Sequence, residues 1–523
     1  MAEQGFWTHA RRNPDALALV DPAGRRWSRG ELHAECNRIV HGLRALGLQH
    51  GDAVAVCLPN CAEFYAAYLA CLQAGWYLTP INWHLAGPEI AYILADSGAK
   101  AFIAHERVAE ICRTAADEID FPKDARFAVG EVKGFRPFAE LVEGRSADVP
   151  ADRAAGSVMN YTSGTTGKPK GVRRALAPKE LEPDLLAQLM SVVWQMFGVK
   201  PEDGNVHLCG SPLYHTAVLV YSGTSLHLGH AVVLMDRWDA EESLRLIEAH
   251  RVTTSHMVPT QFHRLLLLPE EVRRRYGVSS TRCMIHAAAP CPPDVKRRMI
   301  EWWGHSIYEY YAATEGGGTL VTPAEWMERP GTVGRPWPGA EIRIFDDEGN
   351  DVPTGSQGTV YMKLGMTGQF EYKGDAQKTK KNRVVKGDTV YFTVGDVGYV
   401  DDAGYLFLCD RKIDMIISGG ANIYPAEIEN VLLGHPQVGD VAVFGVPNAD
   451  WGEEVKAVVE PAPGVTPGQA LTDELLAFCR ERMGGFKVPR SIDYTSEMPR
   501  DPNGKLYKRK LRDPYWVGRE RAI

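Results

Sequence analysis

The stretch Gly51–Asn82, "GDAVAVCLPNCAEFYAAYLACLQAGWYLTPIN", contains in succession the patterns of a strand, a helix and a second strand. "GDAVAVCLPN" is a short apolar run that ends in a Pro-Asn turn, as is typical of a buried strand. "AEFYAAYLACLQAGWYLTPIN" is predicted to form a helix that continues into another strand. Strand–helix–strand units of this kind are typical of a layered α/β fold.

The same alternation continues on both sides of this stretch. On its N-terminal side, apolar residues recur at helical spacing between Gly30 and Gly47. On its C-terminal side, strands separated by helical segments are predicted at "AKAFIA", "NVHLCGSPLYH", "HAVVLMD", "VTTSHMVP" and "STRCMIHAAAP". We therefore predict a large layered α/β body whose strands are mostly buried.

Two later changes of pattern predict two further parts of the chain. After about residue 330, "PGTVGRPWPGAEIRIFDDEGNDVPTGSQGTVYMKLG" is rich in Gly, Pro and alternating strand signals, which predicts a small β-rich module without a long helix. From about residue 412, a helix, two strands and another helix predict a compact α+β unit. The predicted organisation is an N-terminal domain over 1–411, with the β-rich submodule at about 330–409, and a C-terminal domain over 412–523.

The composition of the 523 residues is that of an ordinary soluble enzyme. Hydrophobic residues make up 45% and charged residues 24%, which indicates neither a disordered nor a fibrous chain. The net charge of -8 provides no basic field, so nucleic acid is not an expected partner. The ten cysteines show no CxxC or zinc-ligand spacing and are expected to be buried thiols in a reducing compartment.

The sequence shows no pattern of a targeting or membrane-spanning segment. The N-terminal "MAEQGFWTHARRNPDALAL" has no apolar signal region, and the C-terminal "GRERAI" is not a peroxisomal signal. No apolar run reaches the roughly 18 residues that a membrane span needs. We expect a cytoplasmic protein without an integral membrane segment, while peripheral membrane contact and a homodimer both stay open.

The segment Tyr161–Gly171, "YTSGTTGKPKG", has the composition of a phosphate-binding loop. Its glycines allow close backbone approach, its hydroxyls can donate hydrogen bonds and its two lysines carry positive charge. It is not a Walker P-loop, because only two residues separate Gly164 from Gly167 and Pro169 stands in place of the magnesium-binding hydroxyl. On composition alone, a solvent-exposed Gly/Ser/Thr turn stays open as an alternative.

With other motifs in the same order, "YTSGTTGKPKG" closely resembles the phosphate loop of the adenylate-forming (ANL) superfamily: acyl-CoA synthetases, aryl-CoA ligases, peptide-synthetase adenylation domains and firefly luciferases. "EYYAATEGG" (Glu309–Gly317) resembles its Y-G-x-T-E segment, with Ala312 in place of the usual glycine. "YFTVGD" (Tyr391–Asp396), "DRKIDMIISGGANIYPAEIE" (Asp410–Glu429) and "PRDPNGK" (Pro499–Lys505) resemble its T-G-D, hinge and catalytic-lysine segments. The resemblance spans nearly the whole chain and implies the ANL fold, with a small mobile α+β C-terminal domain.

The resemblance implies a two-step ligase. A carboxylate attacks the α-phosphorus of ATP to give an acyl adenylate and pyrophosphate, and the thiol of coenzyme A then displaces AMP. The implied ligands are a small-molecule carboxylic acid, ATP, Mg²⁺ and coenzyme A. In the first step two anions meet while charge builds on the phosphate oxygens, so a cation should reach both. Lys505 matches the family lysine with this role, whereas outside its motif it would be one surface lysine in a basic run.

The resemblance also implies roles for single residues. Glu315 is the implied Mg²⁺ ligand, Tyr311 the residue that stacks on adenine, and Asp396 the acceptor of both ribose hydroxyls. Arg411 would hold the ribose or phosphate side, and His215, in "PLYHTA", would gate the acyl pocket and count as catalytic with Lys505 and Glu315. The other implied ATP- and AMP-binding residues are Thr162, Ser163, Gly164, Thr165, Thr166, Gly167, Lys168, Ala287, Ala288, Ala289, Glu309, Tyr310, Ala312 and Thr314.

For the second step, the resemblance implies a rotation of the C-terminal domain about a hinge. The rotation would withdraw Lys505 and present the loop at Ser418–Ile423 to the pantetheine of coenzyme A, with Ser418, Gly419 and Gly420 lining the tunnel. The hinge position is Ile413, where the family usually has Asp or Lys.

Three other functions stay open. An acyl-AMP ligase would pass the acyl group to a carrier protein or an amine. A luciferase-like oxidoreductase would oxidise the adenylate with O₂, so its product would require oxygen rather than coenzyme A. A non-catalytic nucleotide-binding module is disfavoured by the joint presence of Lys505, Glu315 and Asp396.

The acid is the part of the function that the sequence determines least. Candidate walls of an apolar pocket favour a medium- or long-chain fatty acid, or another bulky hydrophobic acid, over acetate. The same residues fit the buried faces of core helices equally well. They are Trp194, Phe197, Met257, Val258 and Phe262.

Overall fold

The computed structural model describes the chain as two compact units. The described residues are 4–162, 169–313, 316–363, 370–372, 382–411, 413–501 and 504–518. Of these, the first unit contains 4–162, 169–256, 269–284 and 370–372, and the second contains the others. This division does not test the predicted boundary between residues 411 and 412, which stays a prediction.

Helices and strands alternate through most of the described residues up to Trp303, and strands predominate from Ile307 to Ile423. In chain order, the helices are α1 (Phe6–Arg12), α2 (Arg29–Ala45), α3 (Ala62–Ala74), α4 (Gly87–Ser97), α5 (Ala109–Glu118), α6 (Phe138–Val142), α7 (Pro183–Met190), α8 (Val192–Gln195), α9 (Thr216–His227), α10 (Ala240–His250), α11 (Pro259–Leu267), α12 (Glu270–Arg275), α13 (Pro293–Trp303), α14 (Pro323–Glu328), α15 (Pro425–Leu433), α16 (Gln469–Arg480) and α17 (Lys508–Arg512). The strands are β1 (Leu17–Val20), β2 (Arg26–Ser28), β3 (Ala53–Cys57), β4 (Tyr77–Pro80), β5 (Ala99–His105), β6 (Arg126–Val129), β7 (Arg136–Pro137), β8 (Ser157–Val158), β9 (Asn160–Thr162), β10 (Lys170–Arg174), β11 (Val206–Cys209), β12 (Ala231–Leu234), β13 (Thr254–Met257), β14 (Cys283–His286), β15 (Ile307–Ala313), β16 (Gly316–Val321), β17 (Thr332–Pro336), β18 (Ile342–Phe345), β19 (Gly358–Lys363), β20 (Phe370–Tyr372), β21 (Arg383–Lys386), β22 (Thr389–Phe392), β23 (Asp396–Val400), β24 (Leu406–Arg411), β25 (Ile416–Ser418), β26 (Ala421–Ile423), β27 (Val438–Asn448), β28 (Gly452–Pro461) and β29 (Ser491–Tyr494).

The first unit is a layered α/β structure built around the stretch Gly51–Asn82. That stretch forms β3, α3 and β4, with β3 and β4 paired in parallel, which confirms the predicted strand–helix–strand unit. The sheet order is β7-β6-β5-β3-β4-β8, and every residue of β3 is buried. A second group of strands has the order β2-β1-β12-β11-β13, and β9, β10 and β20 form a small antiparallel sheet.

Helix α2 shows why the predicted helix between Gly30 and Gly47 forms. Ser28 and Glu31 form a capping box at its start, which satisfies backbone N–H groups that have no partner within the helix. Its buried residues include Leu32, Cys36, Ile39, Val40 and Leu43, which follow the apolar spacing of the sequence. Burial of this stripe in a core shared with α3 accounts for the stability of the helix better than propensity alone.

The second unit contains two sheets of mainly antiparallel strands. The larger sheet has the order β15-β16-β17-β24-β23-β19-β22-β21, with β18 paired to β19. Between β17 and β24 the described residues form strands and no α-helix, in agreement with the predicted β-rich module. The other sheet has the order β26-β25-β28-β27, with β29 parallel to β28, and α15 and α16 cover it with Ile428, Leu432, Leu471 and Leu475.

None of the helices in the described ranges combines the length and the apolar character that a membrane crossing requires.

Candidate active site

Tyr311, Asp396 and Arg411, which we call the Asp396 cluster, lie together in the second unit. Asp396 begins β23 and stands opposite Arg411 in β24, so the register of the sheet brings the two side chains together. Arg411 Nε lies 3.5 Å from Asp396 Oδ1, and the hydroxyl of Tyr311 donates a 2.6 Å hydrogen bond to Asp396 Oδ2. Three residues that the sequence predicts to bind the nucleotide are therefore neighbours.

The geometry of Asp396 suits an acceptor of hydrogen bonds. Its side chain is only 12% exposed, whereas that of Arg411 is 53% exposed. Tyr311 orients the carboxylate on one side and the guanidinium of Arg411 lies near it on the other, so its oxygens are held in a fixed direction as acceptors. Whether Tyr311 stacks on adenine stays a prediction, because its hydroxyl contact with Asp396 concerns a different part of the side chain.

Lys505 folds back on Asp501, and we call Asp501, Gly504 and Lys505 the lysine turn. The backbone N–H of Lys505 donates to Asp501 Oδ1 at 2.8 Å, and that of Asp501 donates to the carbonyl of Lys505 at 2.9 Å. Gly504 has φ +77°, and a Cβ there would overlap the side chain of Thr260 at the start of α11. Glycine is therefore the residue that allows the turn to lie against α11.

Arg500 fixes the lysine turn to the sheet. Its guanidinium forms a two-pronged ion pair with Asp440 on β27, with N–O distances of 2.5 and 2.7 Å. A third donor, Nη1, contacts the carbonyl of Gly504 at 2.6 Å. Bidentate pairs of this kind hold a fixed geometry better than a single contact. The position of Lys505 thus depends on Arg500, to which the sequence analysis assigns no role.

The charges around Lys505 make its surroundings receptive to an anion. Burial lowers the pKa of Lys505, and the positive charge of Arg411 lowers it further, while Asp501 and Asp414 oppose the shift. A partly buried ammonium whose charge is disfavoured by burial and by a second positive group is stabilised when a negative group binds to it. The role of Lys505 in adenylate formation stays a prediction.

The predicted adenine segment contains a buried ion pair that the sequence analysis does not identify. On β15, the Glu309 carboxylate contacts the ammonium of Lys296 from α13, and both side chains are nearly inaccessible to solvent. Burial raises the pKa of Glu309 and lowers that of Lys296, and each partner's charge opposes the shift of the other. The predicted backbone role of Glu309, Tyr310 and Ala312 stays a prediction.

The small-residue turn at Ala287–Ala289 follows β14 directly. Ala288 is exposed and has φ +72°, in the left-handed region, which costs a non-glycine residue roughly 1–2 kcal/mol. His286, which precedes the turn, is completely buried and its ring packs edge-on against Phe262 at 5.2 Å. Local strain next to a candidate site is consistent with a functional turn, although it does not identify the ligand.

The predicted coenzyme A residues form the hairpin between β25 and β26. Gly419 and Gly420 both have positive φ angles, 58° and 82°, as a two-residue hairpin turn requires. Gly419 donates its N–H to the carbonyl of Trp451 at 2.8 Å, and a Cβ at Gly419 would overlap the indole of Trp451. Ile413, the predicted hinge residue, is 42% exposed.

Other predicted residues lie elsewhere. His215 is in the first unit, where it precedes α9 and its ring centroid lies 4.5 Å from that of Tyr214. Ser163–Lys168, Thr314, Glu315 and the side chain of Thr162 fall outside the described residues, so the predicted phosphate loop and Mg²⁺ ligand are not located. Among the residues that are described, no group of His, Cys, Asp and Glu has the arrangement of a metal site.

The predicted acyl-pocket residues are buried. Trp194 is fully buried in the first unit, where its indole N–H donates to the carbonyl of Tyr221 at 2.8 Å, and Phe262 is fully buried in the second unit. Met257, Val258 and Phe197 are also at most 7% exposed. Burial fits both the pocket and the core interpretation, so the pocket stays a prediction.

Two charged residues were missed for different reasons. Lys296 lies among Met299, Ile300 and Trp303 on the buried stripe of α13, and a lysine on such a stripe is a recognisable signal. Arg500 belongs to the quoted motif "PRDPNGK", yet its partner Asp440 is 60 residues away in the sequence. No local pattern could have identified that pairing.

The chain is similar to known proteins over nearly its whole length. The model of the family "AMP-binding enzyme" matches residues 6–367, and that of "AMP-binding enzyme C-terminal domain" matches residues 427–505. The chain is 34% identical over 518 residues to a feruloyl-CoA synthase of Amycolatopsis sp, covering 97% of this chain and 98% of that protein. It is 32% identical over 523 residues to the fatty acid–[acyl-carrier-protein] ligase ScoC of Streptomyces coeruleorubidus, covering 98% and 96%.

A solved structure extends the likeness to the whole fold. ATP-bound MatB from Rhodopseudomonas palustris has a TM-score of 0.79 and 29% sequence identity, covering 98% of this chain and 99% of that one. The chain has the large N-terminal α/β domain and the small C-terminal domain of these proteins. It therefore belongs to the AMP-binding enzymes of the adenylate-forming superfamily, in the family of AMP-forming acid–thiol ligases.

Proposed function

We propose that the protein is an ATP-dependent acyl-CoA synthetase that activates a hydrophobic carboxylic acid and transfers its acyl group to coenzyme A. The observation that carries the proposal is the Asp396 cluster, in which Tyr311 donates to Asp396 at 2.6 Å and Arg411 lies 3.5 Å from it, in the same unit as Lys505. An oriented carboxylate beside a guanidinium is complementary to a ribose that carries a phosphate group.

In the first proposed step, an oxygen of the substrate carboxylate bonds to the α-phosphorus of ATP while the bond to pyrophosphate breaks. Lys505 donates hydrogen bonds to the carboxylate and the α-phosphate, which reduces their repulsion and stabilises the charge of the transition state. Asp396 accepts from the ribose hydroxyls, and the loop Thr162–Lys168 surrounds the β- and γ-phosphates. Glu315 is proposed to hold Mg²⁺, which would neutralise triphosphate charge when bound.

In the second proposed step, the thiolate of coenzyme A bonds to the acyl carbon and AMP leaves with the electrons of the carbon–oxygen bond. Lys505 must move away to admit the thiol, so we place the domain boundary at residues 411 and 412 and the hinge at Ile413. The exposed side chain of Ile413 supports this assignment, because a hinge residue must change its backbone angles without disturbing a core. The hairpin at Ser418–Gly420 would then lie beside the pantetheine.

The proposed acid is a medium- or long-chain fatty acid or another bulky hydrophobic acid. Support comes from the buried apolar residues Trp194 and Phe197 of the first unit and from the names of relatives that act on fatty acids and on ferulate. We place His215 at the entrance of this pocket. The likeness to ScoC, a fatty acid–[acyl-carrier-protein] ligase, favours a carrier protein as the second candidate acceptor.

The test is a panel of acids assayed for pyrophosphate release with and without coenzyme A. The panel contains acetate, octanoate, palmitate, ferulate and indoleacetate, and mass spectrometry identifies the acyl product. We expect pyrophosphate release with the bulky acids and a thioester that requires coenzyme A. Release of pyrophosphate followed by transfer only to a phosphopantetheinylated carrier protein would favour the second candidate. If none of the acids releases pyrophosphate, the ligase proposal fails.

A further inference from the structure

The second unit also contains the buried ion pair of Lys296 and Glu309, and Glu309 lies in the segment predicted to bind adenine. The Lys296 side chain is fully buried and that of Glu309 is 6% exposed. The ammonium of Lys296 also lies 4.9 Å from the ring centroid of Trp326, a buried residue of α14. One lysine thus contacts groups from both β15 and α14 while it belongs to α13.

Stability alone is a poor explanation for such a pair. Transfer of an ammonium and a carboxylate from water into a protein interior costs several kcal/mol for each ion, and the attraction between them about offsets this cost. An apolar pair of similar volume would serve a helix–sheet contact at least as well. What an ion pair adds is a defined distance and direction between two elements, which is the best-attested role of buried polar groups.

The pair lies where two predicted nucleotide-binding segments meet. Glu309 Oε2 is 3.5 Å from His286 Nε2, and His286 directly precedes the Ala287–Ala289 turn. Tyr311 follows Glu309 by two residues on β15, so the two side chains leave the strand on the same side. Tyr311 in turn donates to Asp396. The Glu309 carboxylate therefore connects the turn, through His286, with the strand that carries Tyr311.

We propose that Lys296 is a positioning residue of the nucleotide site. By fixing the Glu309 carboxylate, it sets β15 and the Ala287–Ala289 turn at the spacing in which Tyr311 reaches Asp396 and the turn reaches the adenine. This proposal rests on the proposed function, since it assumes that these two segments bind ATP.

Loss of the ammonium has a defined consequence. In Lys296→Met, the buried Glu309 carboxylate loses its cation and is left beside His286. The carboxylate must then take up a proton or move toward His286, and either change shifts β15 relative to the turn. Displacements of about 1 Å in an active site can lower reaction rates roughly 100-fold. ATP should be affected, whereas coenzyme A, which the hairpin at Ser418–Gly420 is proposed to bind, should not.

The experiment uses the full chain with Lys296→Met, Glu309→Gln and the double variant Lys296→Met/Glu309→Gln. The control is Lys456→Met, because Lys456 is also a buried lysine paired with a carboxylate, Asp493, but lies on β28 in the other sheet of this unit. For each protein, kcat, the KM for ATP, the KM for coenzyme A and the melting temperature are measured. The double variant buries no unpaired charge and keeps the test valid if a single variant does not fold.

We expect the KM for ATP to rise about tenfold or more in Lys296→Met, with the KM for coenzyme A unchanged. The double variant should regain the melting temperature of the wild type while its KM for ATP stays raised, and the control should lose stability without a change in KM. A double variant in which both quantities return to wild type would overturn the proposal, as would an unchanged KM for ATP in folded Lys296→Met. Failure of the proposed function is distinguishable, because wild-type enzyme would then release no pyrophosphate in any assay.

Discussion

The Asp396 cluster and the lysine turn are held in place by different means. Asp396 and Arg411 stand opposite each other in paired strands, so the backbone ladder of β23 and β24 sets their positions. Lys505 lies on a short turn whose connection to the sheet runs through Arg500 and Asp440. A group set by sheet register keeps its geometry when one side chain changes, whereas a group set by one ion pair does not. Changes in the cluster should therefore alter nucleotide affinity locally, and changes at the turn should alter the chemical step.

The largest effect is expected from Lys505→Ala. Loss of the ammonium removes the charge that stabilises the transition state of the first step, so acid-dependent pyrophosphate release should fall about 100- to 1,000-fold. Thioester formation from supplied acyl adenylate and coenzyme A should be nearly unchanged. Arg509→Ala, an exposed basic residue of α17, serves as the control and should behave as wild type. Equal loss in both half-reactions would contradict the assigned role.

A smaller effect is expected from Asp396→Asn. The amide offers one acceptor instead of two charged ones, and each lost hydrogen bond to a charged group is worth about 1.5–3 kcal/mol. The KM for ATP should rise roughly 10- to 100-fold, with kcat reduced much less. Asp351→Asn is the matched control, because Asp351 pairs with Arg343 at an exposed position. A fall in kcat at an unchanged KM for ATP would show that the cluster does not bind the nucleotide.

Arg500→Lys tests the difference between the Asp396 cluster and the lysine turn. It keeps the positive charge but loses the two-pronged contact with Asp440. The lysine turn should become less fixed, so kcat for acid-dependent pyrophosphate release should fall about tenfold while the KM for ATP changes little. The exposed Arg490, changed to lysine in the same way, should have no effect. If Arg500→Lys raises the KM for ATP and leaves kcat unchanged, the lysine turn acts on nucleotide binding rather than on the chemical step.

The smallest effect is expected from Arg411→Gln. Arg411 belongs to the Asp396 cluster, and its charge also acts on Lys505 of the lysine turn. Lys505 acts as an ammonium, so adenylation should decline as pH rises through its lowered pKa. Arg411 contributes to that lowering by charge repulsion, and its removal should raise the pKa of Lys505. The alkaline limb of the kcat profile, measured at saturating ATP, should therefore move to higher pH. A shift to lower pH, or none, would show that Arg411 does not act on Lys505.

Much of the fold could be predicted from local patterns. The strand in "GDAVAVCLPN" and the helix between Gly30 and Gly47 appear as β3 and α2 because their apolar spacing matches the burial of each element. The boundaries are less well predicted, since α2 ends at Ala45 rather than at Gly47. Helix ends depend on capping contacts that apolar spacing does not encode.

The candidate site also has features that local motifs predict and features that they do not. The motifs determined the family, and they predicted the two-step chemistry and the roles of Lys505, Asp396 and Tyr311, because chemistry restricts residue types within short segments. Only the tertiary structure decided which of these residues touch: Tyr311 and Asp396 are 85 residues apart, Arg500 and Asp440 are 60 apart, and Lys296 and Glu309 join a helix to a strand. The physical reason is that such contacts follow from the register of strands and the packing of helices, and these are set by the whole sheet rather than by any one segment.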